Sequence, residues 1–266
     1  MKKYKWILII TIGVLSFSVS AWYINYQGGQ TPPAKLADET PAAFVLTQDV
    51  ADLLKKVSEA HLKLNHYQVT NITEKVASNQ GEEYEETIDT MIFSRSDKYL
   101  KVVQGELIKV QNEKMNLLMI PEEELIVLQD PDFRILELNK GFDIQAIMGN
   151  MGQVYTSAKL ENLPDGEYKL SLEAEDGGSI VYFVNKKDYL LHKTVVNRME
   201  LDEDDEEVNT TTTSKLSYEF FDKKKAKTLF NLDTYIERAG KQLYKPKKAF
   251  ENYTVHNNTS EYLRNH

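Results

Sequence analysis

Residues 168–196 read YKLSLEAEDGGSIVYFVNKKDYLLHKTVV, and the period of two in their apolar positions decides the fold. Tyr168, Leu170, Leu172 and Ala174 fall on one side of a strand with polar residues on the other, the pattern of a half-buried antiparallel strand. Residues 180–184 and 190–199 follow as two further strands, joined by the polar turn Asn185-Lys186-Lys187-Asp188. Ile180, Tyr182 and Val184 alternate with Val181 and Phe183, so the middle strand is apolar on both faces and its second face needs a cover. The tail after Lys225 and a partner are the two candidates for it. From Gly177 to Val196 there is no nucleophile, paired acid or metal cluster, so the stretch is strand without catalytic chemistry.

The same period runs through the chain on the N-terminal side. Residues 67–76 and 84–93 form a hairpin around SNQGEE, and residues 99–103, 106–110, 115–120 and 124–128 follow, with Gly105, Asn112 and Pro121 in the turns. Such spacing leaves no room for crossover helices, which favours an antiparallel meander over the parallel sheets of nucleotide folds. Ahead of the strands, Thr47 or Asp49 can cap a helix that aligns Val50, Leu53, Leu54, Val57, His61 and Leu64 on one stripe. His61 reads as a histidine satisfied at the edge of a core. Asp143 can cap a second helix, IQAIMGNM, striped by Ile144, Ile147, Met148 and Met151. A strand at 215–221 aligns Leu216, Tyr218 and Phe220. The tail adds a helical turn ended by Gly240, a last strand at 253–255, and a frayed end.

About ten strands are too many to lie flat, so the expected class is α+β and mainly antiparallel β. A strongly curved sheet or half-open barrel results, with short helices covering its concave face. The expected organisation is a signal peptide or membrane anchor at 1–24, a flexible linker at 25–46, a single domain at 47–256 and a frayed tail at 257–266.

Composition narrows the function. Lys and Arg total 32 against 41 acids, a formal charge of -9, so no basic footprint for nucleic acid exists. The absence of cysteine removes thiol catalysis, thiolate zinc sites, disulfides and a lipoprotein's acylated cysteine together. At the N-terminus MKKYK precedes an apolar run, an export signal that puts the rest of the chain outside the cytoplasm. Two outcomes fit it. Val19-Ser20-Ala21 suits cleavage before Trp22, whereas Trp6 and Trp22, the only tryptophans, bracket the run as interfacial anchors do. The expected compartment is extracytoplasmic, the periplasm being the leading choice, with the chain soluble or anchored to the inner membrane.

Motif by motif, chemistry is scarce. In LDEDDEEVNTTTT, Asp202, Asp204 and Glu206 are hard oxygen ligands at alternate positions, but Glu207 and Thr213 stand where a calcium loop needs Gly and Glu. The run reads as a solvated hairpin tip. The lysines of FDKKKAKTLF suit lipid headgroups or an acidic partner, and read as a solvated turn after a strand. Asn71, Asn209, Asn252, Asn257 and Asn258 open N-x-Ser/Thr triplets, which matter only in a eukaryotic secretory pathway. No G-x-S-x-G, H-E-x-x-H or Walker lysine occurs, and the histidines at 61, 66, 192, 256 and 266 lack metal spacing. The expectation is a protein that is not an enzyme, with no catalytic residue, no cofactor and no metal.

The order of elements from Gln48 to Lys225 resembles the lipoprotein carrier and receptor (LolA/LolB-like) superfamily. The segment LLKKVSEAHLKLNHYQVTNI is similar to its opening helix and first strand, FSRSDKYLKV to a strand motif with two arginines, VQNEKMNLLMI to a strand-turn-strand, and YKLSLEAEDGGSIVYFVNKKDYLLHKTVV to its late strands. Arg95 matches the first arginine of that motif. Ser96 replaces the proline beside it, Leu100 stands at the second arginine, and Asn112-Glu113 replaces an Asp-Gly turn. The resemblance implies a half-open barrel holding acyl chains and a lid contact at Arg95. The residues agree: Leu54, Val57, Ile144, Ile147, Met148, Met151, Tyr168, Leu170 and Leu172 can line an adaptable apolar cavity. The leading expectation is an envelope protein that binds or carries lipid or lipoprotein acyl chains. The alternative is a sensor or scaffold of the same fold that binds an envelope protein, its cavity filled by its own side chains. Neither needs nucleic acid, and membrane contact would come through an uncleaved N-terminal segment.

Overall fold

The computed structural model describes residues 46–79, 82–133, 154–201, 207–241 and 243–263. Within them the chain is mainly antiparallel strand, with one twelve-stranded sheet, a two-stranded hairpin and a few short helices. The sheet is open, and the α+β, mainly antiparallel class expected from the sequence is what is found. The N-terminal apolar run, the linker to residue 45, the IQAIMGNM helix and the tip of the acidic hairpin lie outside the described residues.

Helix α1 spans Gln48–Leu62. Thr47 occupies its N-cap position without a side-chain cap bond, so the helix owes its place to packing: Val50, Leu53, Leu54 and Val57 are all buried. The strands follow: β1 (His66–Asn79), β2 (Glu82–Ser96), β3 (Tyr99–Gln104), β4 (Leu107–Gln111), β5 (Asn116–Ile120), β6 (Leu125–Gln129), β7 (Tyr155–Asn162), β8 (Glu167–Ala174), β9 (Ser179–Asn185), β10 (Leu191–Leu201) and β11 (Glu207–Phe220). After them come α2 (Lys223–Leu229), β12 (Ile236–Arg238), β13 (Tyr244–Pro246), β14 (Thr254–Asn257) and α3 (Ser260–Leu263). The order across the large sheet is β14-β6-β5-β4-β3-β2-β1-β11-β10-β9-β8-β7.

The described residues fall into two compact units, the first built from those within 46–63, 72–88 and 154–216 and the second from those within 64–71, 89–133 and 217–263. Each has its own core. In the first unit α1 lies on the face of β7–β10 that carries Tyr155, Leu170, Leu172, Ile180, Tyr182, Val184 and Leu191. The register Leu172↔Ile180 and Leu170↔Tyr182 aligns these side chains across β8 and β9. In the second unit Val110, Met115, Leu117, Met119, Ile126 and Leu128 of the β4–β6 region pack on Ala226, Phe230, Leu232, Tyr235 and Ile236 of the tail.

The tail differs most from expectation. The lysine run is not a turn but helix α2, because Asp222 caps it by accepting from the Lys225 N–H at 2.8 Å. The helical turn expected before Gly240 is confined to residues 232–234, and β12 and β13 form a hairpin beyond it. Strand β14 does form, but it runs parallel to β6, Thr254↔Leu125 to Asn257↔Leu128. The end expected to fray is held as far as residue 263: Asn258 N–H donates to Leu128 O, Ser260 N–H to Asp130 Oδ2, and Thr259 is buried.

Candidate functional site

The residues expected to line a cavity meet, as far as they are described, between α1 and the sheet of the first unit. Leu54 and Val57 enter from the helix, Leu170 and Leu172 from β8, and all four are at most 2% exposed. Tyr168 packs at the margin of the same cluster. Ile144, Ile147, Met148 and Met151 lie outside the described residues.

Space decides what this arrangement can hold. The gap lined by Leu53, Leu54, Val57, Leu170, Tyr182, Val184 and Leu191 has a volume of about 10 Å³, roughly one water probe. Acyl chains and other small ligands need pockets of roughly 300 Å³ or more. A second depression, where Tyr155, Ala174 and Gly178 meet Ile180, Val196 and Arg198, is no larger at about 10 Å³. Among the described residues, helix and sheet pack closely there.

One end of it is strapped by the β9–β10 turn. Asn185 Oδ1 accepts from the Lys187 N–H and Asp188 Oδ1 from the Leu190 N–H, while Tyr189 takes a left-handed φ of 58°. That conformation lays the Tyr189 ring on Tyr168, with centroids 6.3 Å apart and planes 15° from parallel. Lys56 Nζ lies 5.3 Å from the Tyr189 centroid and Lys186 Nζ 5.3 Å from that of Tyr168, so a cation sits by each ring. Sequence reading placed this turn but not its aromatic strap, since Tyr168 and Tyr189 are brought together only by the strand register. At the same end, His61 Nδ1 bonds Val57 O at 2.8 Å. Burial pulls the His61 pKa below its usual value, opposed by the Val57 carbonyl and by Asp188.

The second face of β9 is covered from within. Val181 and Phe183 are half-buried. Lys193 Nζ sits 4.9 Å from the Phe183 centroid, the His192 ring meets Phe183 edge-on, and His192 Nε2 pairs with Glu167 Oε1 at 2.8 Å. Long polar side chains thus shield the apolar face while their tips stay wet. The tail after Lys225 packs instead in the second unit.

Arg95, implied as a lid contact, is 9% exposed in the second unit. Its guanidinium bonds the Tyr67 phenol; burial pushes the Tyr67 pKa up, and Arg95 opposes that shift by charge and hydrogen bond. Nearby, Ser94 donates to Gln68 Oε1 at 3.2 Å, and His66 Nδ1 meets Ser96 Oγ at 2.7 Å. Among the described residues no group of three or more His, Cys, Asp or Glu is placed to hold a metal ion. No described helix is long and apolar enough to cross a membrane.

No protein-family model matches the sequence, and no curated protein matches it. Solved structures similar to the chain include an uncharacterized conserved protein from Thermus thermophilus, at 15% identity over 79% of this chain and 99% of that one, with a TM-score of 0.39. They also include a LolA superfamily protein from Nitrosomonas europaea, at 12% identity over 69% and 98% with a TM-score of 0.31. A third is MucB in complex with MucA, at 12% identity over 66% of this chain and 58% of that one, with a TM-score of 0.33.

Proposed function

We propose that this chain is a non-catalytic binding protein of an extracytoplasmic compartment and that it engages a protein partner rather than carrying an acyl chain in its core. The observation that supports this reading is the close packing of the described residues between α1 and the sheet, which leaves about 10 Å³ where a cargo site needs far more. Admitting a chain there would mean lifting α1 off Leu170, Leu172, Tyr182 and Val184. That would expose a contiguous apolar face at roughly 25 cal/mol per Å². The outer surface of the same unit is the better resource: Ile72, Ile88 and Met199 are 43%, 66% and 56% exposed. Side chains of this kind contribute where a partner covers them.

A fluorescent fatty-acid analogue titrated into the purified protein tests the reading. The expected result is no saturable signal at micromolar probe. Saturable binding displaced by unlabelled fatty acid would restore the carrier reading. The positive arm uses a photo-crosslinking residue at Ile88 or Met199 in the exporting cell, where a discrete protein adduct is expected and adducts to lipid alone count against the proposal.

A further inference from the structure

We propose that the lysine face of α2, with Phe220 beside it, is a contact surface for the headgroups of an anionic membrane. Folding turns the lysine run into a one-sided object. Ala226 and Phe230, four residues apart, are buried in the second unit's core and fix the inward side of the helix. Lys223, Lys224 and Lys227 are left exposed. Lys225 is different, because it pairs with Glu219 and sits 5.9 Å from the Phe221 ring. The other three make no ion pair among the described residues. With Glu219 paired to Lys225, they outnumber the one other carboxylate at the helix, the exposed N-cap Asp222, and concentrate positive charge on a chain whose net charge is -9.

Phe220 supplies the apolar element. Phe221, just past the end of β11, has its ring 6.3 Å from that of Phe230, whereas Phe220, the last residue of the strand, is 59% exposed. Unpaired lysines beside an exposed aromatic ring match the interface of a bilayer, where flexible ammonium stems meet a diffuse anionic field and a ring sits at headgroup depth. An acidic protein offers charge too, but lysine is depleted from protein interfaces, and its mobile point charge lacks the fork that fixes carboxylates in pairs. The surface is independent of the space under α1, so it stands whichever ligand that unit takes.

Amine acetylation read by mass spectrometry tests it. The full chain is reconstituted into vesicles of phosphatidylcholine alone or with about 30% phosphatidylglycerol, a composition that gives a negative surface potential. Modification of Lys223, Lys224 and Lys227 is expected to fall roughly fivefold in the anionic vesicles, the weight of one lysine near such a surface. It should return in about 0.5 M salt as the field is screened. Lys55 and Lys63 serve as exposed controls and should not change. Equal modification in both vesicles, or equal protection in both, would overturn the proposal. So would protection that appears only when an acidic protein is added to neutral vesicles, since that assigns the face to a protein.

Discussion

Leu172 and Val181 sit on neighbouring strands and show how much the face of a strand matters. Leu172 is fully buried under α1 opposite Ile180, whereas Val181 points away from the helix and is only half-covered. Leu172→Ala is expected to cost roughly 2–5 kcal/mol through lost transfer energy and the cavity left behind. Val181→Ala should cost about 1 kcal/mol or less. Urea unfolding followed by circular dichroism measures both, and equal costs would mean that the helix face is not the core. His61 makes a pH statement. Its folded pKa lies below the usual 6.5 because of burial, so the unfolded chain takes up the proton first. The stability tied to neutral His61 is therefore full above about pH 6.5 and is lost as pH falls through the lowered value. A His61→Gln variant should lose less stability than the parent over that window, and parallel curves for the two proteins would refute the assignment.

At the scale of elements, the sequence was most legible where apolar alternation is strong. The helix stripe of Val50, Leu53, Leu54 and Val57 and the strands β3–β6, β8 and β9 lie within a residue or two of their expected bounds. Strand β7 was missed because YTSAKLEN alternates weakly, and its partly buried positions are as often polar as apolar. The N-terminal half of β11 was missed for a related reason: NTTTT carries β-branched residues without hydrophobic contrast. Thr210 is buried there by its neighbours, donating to Arg198 O, and not by its own apolarity. The parallel docking of β14 could not be read from residues 253–257, since pairing direction depends on where the preceding tail has been led. That strand protects an edge. Without it, β6 would present Ile126 and Leu128, both fully buried now, beside an unpaired backbone. Truncation after Asn252 is therefore expected to yield a chain that aggregates at micromolar concentration, visible as a rise in light scattering. A monomeric truncated protein of unchanged melting temperature would show that β14 is dispensable.

For the molecule as a whole, the candidate site was legible as a place but not as a function. Leu54, Val57, Leu170 and Leu172 share the core of the first unit, yet the same apolar residues line a cavity or fill one, and only packing separates the two. Room is therefore the property to manipulate. In the parent protein, saturating benzene should leave the melting temperature unchanged, because the described core of the first unit offers only about 10 Å³ between helix and sheet. Leu172→Ala should create a dry space of the kind that takes small apolar ligands. Benzene should then raise the melting temperature of the variant, by the mass-action stabilisation that follows when a ligand binds the folded state alone. A shift in the parent as large as that in the variant would mean that the core opens readily, and would return the molecule to the class of carriers. A shift confined to the variant supports a filled core and, with it, the proposal that partners are met on the outside.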